Sequence, residues 1–432
     1  MVFLQISDLH LGKTLCGYDL LEDQAYVLNE LLDLAQKLQP DALLVAGDVY
    51  DRAVPPVEAI RLFDSFLMDL RKACPGIRIV VIPGNHDSPG RLSFGASLLA
   101  DTGLVIQTTV RSRPAVVLDK AGERAALWAL PFLSQAKALW PEAAMWDQEA
   151  ATGPGDQLPE DTGLSLKDAP QEGWQAVLAR RAMSHIAPEI DPESLNVLVF
   201  HCFAAGGLVG DSEMTMVGAA ESIPPSVFDG FDYVALGHLH SYQSPAPNVW
   251  YSGAPLAYSL QDADREKNTG HGALVVKLGN GSHPQVDFAP LKPRRRLRRI
   301  VGDFASLLAN PPRPEECDDY VDITLIDEKP VLDPEGQLRS IYPHNLGIHQ
   351  LALEYRYAVL GSNGSADFAG SDGLHVRRLN GGMGKVQSAD ALVRDDFVAF
   401  YKEMKAEEPD QATLSLFDAL LKEVSEAGDA SD

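Results

Sequence analysis

The sequence predicts an α/β protein: a sheet of parallel strands, then a smaller α+β domain, then a pair of C-terminal helices. Three observations carry this. Short apolar runs alternate with amphipathic stretches from residue 2 to residue 82; a Gly- and Ser-rich stretch separates the last helical segments from the rest; and 432 residues suit two or three domains.

Val2–Ser7, Ala42–Ala46 and Arg78–Ile82 read as strands. Between them, Asp23–Leu38 sets Val27, Leu31, Leu34 and Leu38 at helical spacing, and Pro56–Ala73 does the same with Ile60, Phe63, Leu67 and Leu70. Strands joined by helices pair in parallel, because the crossover returns the chain to the same end of the sheet. A helix is expected over Gly173–Ile186. Further strands are expected over Asn196–Phe200, Tyr233–Leu236, Val249–Ser252 and Ala273–Leu278.

The first domain is expected to span 1–291, interrupted by an acidic, Pro- and Gly-rich insertion at about 141–193. A capping domain is expected over 292–355 and 374–390, with a strand at Tyr320–Ile326 and a short helix at Gln337–Ile341. Residues 356–373 read as a flexible loop. Residues 391–432 carry two apolar stripes: Val393, Phe397, Tyr401 and Met404, then Leu414, Phe417, Leu420, Leu421 and Val424.

Composition narrows the function. Net charge is −25, which argues against a large nucleic-acid-coating surface on this chain alone. The four cysteines, Cys16, Cys74, Cys202 and Cys317, lie far apart and make neither a disulfide framework nor a thiolate zinc site. No apolar run has the length of a membrane span, and Met1–Lys13 lacks the basic start and apolar core of a signal peptide, so a cytoplasmic protein is expected.

The chemistry lies just after the strands. Asp8-Leu-His10, Gly47-Asp48-Val-Tyr-Asp51, Gly84-Asn85-His86-Asp87, His201 and Gly237-His238-Leu-His240 each follow a predicted strand. In an open α/β sheet the carboxyl ends of strands face the ligand crevice. Carboxylates, imidazoles and an amide without thiolate suit manganese, iron or zinc. The expected ligands are Asp8, His10, Asp48, Asn85, His201, His238 and His240. Asp48, with two carboxylate oxygens, is the natural bridge between two ions. A lone histidine or Gly-Asp pair would more often be structural. His185, His271, His283, His344 and His349 lie outside the motifs and are read that way.

Taken in order, these motifs resemble those of the calcineurin-like metallophosphoesterases, a sandwich of sheets flanked by helices. Ile6–Lys13, Ala46–Arg52 with Pro55-Pro56, Phe231–His240, Tyr251–Leu256, Asp319–Leu325 and Arg339–Pro343 further resemble the SbcD family of bacterial nuclease subunits. The likeness covers roughly residues 1–345 and is loose across 141–193 and 355–390.

The resemblance implies one ion on Asp8, His10, Asp48 and His240 and a second on Asp48, Asn85, His201 and His238, usually manganese. It implies His86 as the proton donor to the leaving oxygen, with Asp51 and Asp87 orienting it. It also implies a DNA exonuclease on duplex ends and endonuclease on hairpins and single strands, serving repair, recombination and replication. The implied partner is an SbcC-like coiled-coil ATPase, bound through the C-terminal helices by a homodimer of this chain within a heterotetramer. A phosphoesterase of small substrates, such as a cyclic nucleotide phosphodiesterase or a phosphatase, is the competing reading. The run Lys292–Arg299 has two readings: Arg294, Arg295 and Arg296 on DNA phosphates, or a solvated strand edge over buried Leu291, Leu297 and Ile300.

Overall fold

The structure, a computed structural model, describes residues 1–133, 173–207, 222–262, 270–352 except 280 and 282, and 394–428 except 395, 396, 399, 400, 403, 404 and 406. Most of the expected insertion, the loop at 356–373, the segment 374–390, Val393 and Met404 lie outside the described residues. Two compact units form. One comprises Met1–Val301, Leu308–Ile323 and Glu335–Ile348; the other comprises Gly302–Leu307, Thr324–Pro334 and His349–Asp432.

In the first unit, β1 (Val2–Ile6) is followed by a small hairpin, β2 (Thr14–Leu15) and β3 (Tyr18–Asp19). Then come α1 (Leu21–Leu38), β4 (Ala42–Ala46), α2 (Val57–Ala73), β5 (Arg78–Ile82), the short helices α3 (Pro89–Leu92) and α4 (Ala96–Ala100), and β6 (Leu104–Ile106). β1, β4, β5 and β6 pair in parallel, in that order.

A second sheet uses β7 (Val116–Lys120), β8 (Glu123–Leu130), β9 (Leu195–His201), β10 (Tyr233–Gly237), β11 (Gln243–Ala246) and β12 (Val249–Tyr251), with α5 (Trp174–Ile186) between β8 and β9. Its order is β11-β12-β10-β9-β8-β7. The chain then returns to the first sheet, where β13 (Gly272–Lys277) lies antiparallel to β1 and β14 (Gln285–Pro290) forms the edge.

Alternation along the strands builds the layers. Leu4, Ile6, Leu43, Val45, Ile79 and Val81 join a core with Val27, Leu31, Phe63 and Leu67 of the helices. The alternate residues, Phe3, Leu44, Val80 and Ile82, meet Leu127, Val197, Val199 and Tyr233 of the second sheet. A third core lies between Leu198, Phe200 and Val234 and the α5 residues Leu178, Ala182 and Ile186. The result is a helix–sheet–sheet–helix sandwich whose central strands are buried on both faces, as near-continuous apolar runs require.

Both amphipathic helices form, with stripes rotated from the expected ones. On α1 the buried apolar residues are Val27, Leu28, Leu31 and Ala35, while Leu34 and Leu38 are only partly buried. On α2 they are Ala59, Phe63, Phe66, Leu67 and Leu70, while Ile60 is 45% exposed. Small Ala35 and Ala59 take inner positions, both fully buried.

β15 (Leu297–Gly302), β16 (Tyr320–Leu325) and β17 (Asn345–Gln350) form a third sheet in that order. The short helices α6 (Phe304–Ala309) and α7 (Pro334–Leu338) accompany it, α7 starting before the expected span. In the second unit, α8 (Gln411–Gly428) stacks Phe417 on Phe397 with ring centroids 4.0 Å apart, and Asp418 accepts from Arg394 Nε at 2.8 Å. Leu416 and Leu420 of α8 stay exposed.

One buried polar residue ties the two large sheets. Gln5 of β1 donates from Nε2 to the carbonyls of Leu236 and Trp250, and its Oε1 accepts from the Tyr233 hydroxyl. Gln5→Leu strands that hydroxyl between the sheets, and a buried donor without an acceptor costs about 1–3 kcal/mol. The expected outcome is a lowered denaturation midpoint with unchanged urea m-value.

Candidate metal centre

The carboxyl ends of β1, β4, β5, β9 and β10 converge. Asp8 and His10 leave β1, Asp48 follows β4, Asn85 and His86 follow β5, His201 ends β9, and His238 and His240 follow β10. Three groups of ligand atoms lie within 4.8 Å of one another: Asp8, His10 and His240; Asp8, Asp48 and His201; and His10, Asp48 and His86. Asp48 Oδ2 lies 3.7 Å from His10 Nε2 and 3.5 Å from His201 Nε2, so one carboxylate faces both sides of the cluster. Asn85 Oδ1 lies 2.9 Å from His201 Nε2 and 3.1 Å from His238 Nδ1. All seven expected ligands are thus in one place.

Backbone strain builds this geometry. Asp8 (φ 53°), His10 (φ 41°), Asp48 (φ 49°) and His238 (φ 114°) occupy the positive-φ region that residues with a Cβ avoid. Each such residue costs about 1–3 kcal/mol and persists only where its surroundings hold it. The surroundings do so here. The N–H groups of Asp8 and His10 donate to the carbonyls of Gly47 and Asp48 at 3.0 Å; that of His86 donates to Asp48 Oδ1 at 2.9 Å; that of His238 donates to the Asp8 carboxylate at 3.1 and 3.2 Å.

The glycines before the ligands give room more than they give turns. Only Gly47 has a positive φ, 90°. A Cβ at Gly84 would lie 2.1 Å from Asp48 Oδ1, and one at Gly237 would lie 1.9 Å from the Ala46 carbonyl. β4, β5 and β10 reach each other there only without side chains.

The donor set fits a cation. His201 Nδ1 sits 2.8 Å from the Ala46 carbonyl, which fixes the proton on Nδ1 and leaves Nε2 a bare lone pair facing Asn85 Oδ1. His10 Nε2 faces His240 Nε2 at 3.2 Å. Burial holds the His10 and His201 imidazoles well below their ordinary range, and likewise brings His238 to about 4 and His240 to about 3. Burial, then Asp8 and Asp87, pushes the Asp48 carboxyl up. Neutral imidazoles and crowded carboxylates, lone pair against lone pair, are what divalent ions resolve.

Asp51 and Asp87 have partners other than the His86 ring. His86 Nδ1 meets the Asp51 backbone carbonyl at 2.8 Å, while the Asp51 carboxylate pairs with Lys13 Nζ at 2.9 Å. The buried Asp87 carboxylate accepts the N–H groups of Val49, Tyr50 and Gly84 at 2.9–3.0 Å, joining the loops after β4 and β5.

The arginines of the basic run face carboxylates. Arg294 meets Glu22; Arg295 meets Glu22, Asp23 and Asp318; Arg296 meets Asp319; Arg298 meets Glu316 and Asp319; Arg299 meets Asp322. Leu291 and Leu297 are buried, and Ile300 is half-buried. Residues that the motif pattern does not flag also border the site. Phe132 stacks on His238, and Tyr258 lies edge-on to His10 and His240. Nothing local in the sequence marks either one.

Comparison with known proteins places two families along the chain. Residues 1–242 match the calcineurin-like phosphoesterase family. Residues 293–369 match the Type 5 capsule protein repressor C-terminal domain, SbcD_C. Similar solved structures include TT1561 of Thermus thermophilus, with 10% identity over 66% of this chain and 98% of that chain and a TM-score of 0.36. A dimetal phosphatase from Danio rerio has 12% identity over 67% of this chain and 98% of that chain, also with a TM-score of 0.36.

The chain belongs to the calcineurin-like phosphoesterase family and is a metal-dependent phosphoesterase. The two domain matches in succession give it the order of an SbcD-type nuclease. Among the described residues, no helix is long and apolar enough to cross a membrane.

The pKa directions set a pH dependence for the metal-free protein. Unfolded imidazoles protonate near 6.5, whereas the folded His10, His201, His238 and His240 resist protonation well below that. The unfolded chain therefore binds more protons, and stability falls as pH drops from about 6.5 towards 4. Asp48 and Asp87, both raised, act in the opposite sense and offset part of the slope. Melting temperature in chelator should fall across that window, and saturating divalent metal should raise it most at the upper end.

Proposed function

We propose that this chain is a two-metal DNA phosphodiesterase, an exonuclease on duplex ends and an endonuclease on hairpins and single strands. The observation that carries the two-metal reading is the Asp48 carboxylate, 3.7 Å from His10 Nε2 on one side and 3.5 Å from His201 Nε2 on the other. Asp8, His10, Asp48 and His240 would hold one ion; Asp48, Asn85, His201 and His238 the second, with manganese the metal that the resemblance favours. Bound there, two divalent ions would supply a nucleophilic hydroxide and a clamp on the phosphate.

The chain's own groups do the rest. His86, half-buried beside the cluster, keeps its Nδ1 on the Asp51 carbonyl, which leaves Nε2 for the substrate. In the imidazolium form Nε2 hands a proton to the leaving oxygen. Lys13 holds the Asp51 carboxylate and so steadies the segment on which the ring rests.

DNA as substrate rests on the SbcD_C match and on the motif resemblance. The same support extends to an SbcC-like coiled-coil ATPase partner, a cytoplasmic location, and a role in DNA repair and recombination. Arg294 and Arg296 keep side-chain exposures of 36% and 46% and are the proposed phosphate contacts; Arg295, at 10%, is committed to its carboxylates. The exposed Leu416 and Leu420 of α8 suit docking of the C-terminal helices on the partner.

Purified protein with manganese should cleave both a chromogenic phosphodiester and hairpin DNA. His86→Ala should lower turnover by about 10²–10⁴-fold while both ions remain bound. Cleavage of the small diester alone would assign the chain to the small-substrate phosphoesterases. Removing residues 391–432 should abolish binding to the ATPase and spare cleavage of the small diester; retained binding would count against docking through these helices.

A further inference from the structure

The loop that carries Asp8 and His10 alternates three positive-φ residues: Asp8, His10 and Gly12 (φ 85°). Two of them bear a Cβ and resist this conformation by about 1–2 kcal/mol each. The N–H groups along this loop are taken up by the carbonyls of Gly47, Asp48 and Val49. The Leu9 carbonyl needs donors from side chains, since a buried backbone oxygen left alone is costly, and the His10 carbonyl, which takes the Lys13 N–H at 3.0 Å, has a second lone pair to fill.

Two buried side chains provide them. Gln24 Nε2 donates to the His10 carbonyl at 2.8 Å and to the Leu9 carbonyl at 3.4 Å, while its Oε1 accepts the Gly12 N–H at 2.9 Å. The Tyr258 hydroxyl donates to the Leu9 carbonyl. Tyr258 is itself fixed by Asp262, whose carboxylate accepts the N–H groups of Tyr258 and Ser259. Gln24 thus brackets His10, holding the carbonyl of the ligand residue and the amide two residues on.

The residue before Gln24 is held from another direction. Buried Asp23 accepts from Arg295 Nη1 at 2.8 Å and from the Tyr320 hydroxyl at 2.9 Å. Asp23 and Gln24 are consecutive in the first turn of α1, so a shift of one carries the other. The basic segment and the metal-ligand loop are in this way attached to adjacent residues of one rigid turn.

We propose that Gln24 is a positioning residue for His10, and that the Asp23–Arg295 contact sets its place, so that the 292–299 segment tunes metal affinity on the Asp8–His10–His240 side. This rests on the two-metal reading above.

The test is a calorimetric titration of the full chain with Mn²⁺, with melting temperature and circular dichroism followed in parallel. The wild type should bind two ions; fewer than two would defeat the two-metal reading rather than this one. Gln24→Met, close in volume, should weaken one ion by about 10-fold, as partners behind metal ligands commonly do, and leave the other within about twofold. Tyr258→Phe, which removes a single hydroxyl, and Arg295→Met should each weaken the same ion measurably, by less than Gln24→Met does. A folded Gln24→Met with both affinities unchanged, or both weakened alike, overturns the positioning role. If that variant does not fold, unchanged affinities in Tyr258→Phe overturn it instead. Unchanged affinity in Arg295→Met overturns the link to the basic segment.

Discussion

Everything at the site depends on how closely β4 and β10 approach at their carboxyl ends. Gly237 lies so near the Ala46 carbonyl that no Cβ fits between them, and Gly47 lies nearly as close to the His201 ring. That approach brings two six-stranded sheets together at one rim, so that candidate ligands from β1, β4 and β5 meet candidate ligands from β9 and β10. A side chain at Gly237 would part the sheets where the two halves of the metal centre join. Gln5, holding Tyr233 and two carbonyls of the second sheet, supports the same contact from within the sandwich.

The site concentrates unfavourable terms that the rest of the fold balances. Four candidate ligand residues sit at positive φ, and the histidines are buried beside carboxylates. Asp87 knits two ligand loops through three backbone amides, and Gln24 holds a third loop from below. The metal-free protein is therefore a frame under tension, and cation binding relieves charge and lone-pair repulsion together. Strain of this kind is expected where a protein fixes ligands in advance of the ion.

Much of this was legible in the sequence, because the ligands follow strands whose apolar runs are unmistakable. The parallel half of the first sheet and the convergence of the seven candidate ligands could be read from motif and position. What could not be read was whatever depends on packing at a distance. Ile60 fits a helical stripe but faces outward, while its neighbour Ala59 is the buried residue. The return of β13 to pair with β1 is invisible locally, since nothing in Gly272–Lys277 names its partner. Asp51 meets the His86 ring through its backbone carbonyl while its carboxylate pairs with Lys13, and Asp87 accepts three backbone amides, details set by loop geometry that the motifs do not spell out. Gln24 and Tyr258 carry no motif signal, and only the direction of two buried carbonyls reveals them.

The pairing of Arg294–Arg299 with Glu22, Asp23, Glu316, Asp318, Asp319 and Asp322 has a kinetic consequence. With much of its densest cationic stretch paired to carboxylates, and Arg294 and Arg296 of it still partly exposed, the molecule presents to distant charges mainly its overall excess of acid. An approaching polyanion meets a repulsive field that reaches about 8 Å at physiological ionic strength. Encounter with such a ligand, by this chain alone, should grow faster as salt is added, the reverse of the behaviour of proteins that steer polyanions in. A positively charged companion would remove that barrier without altering a single contact at the metal rim.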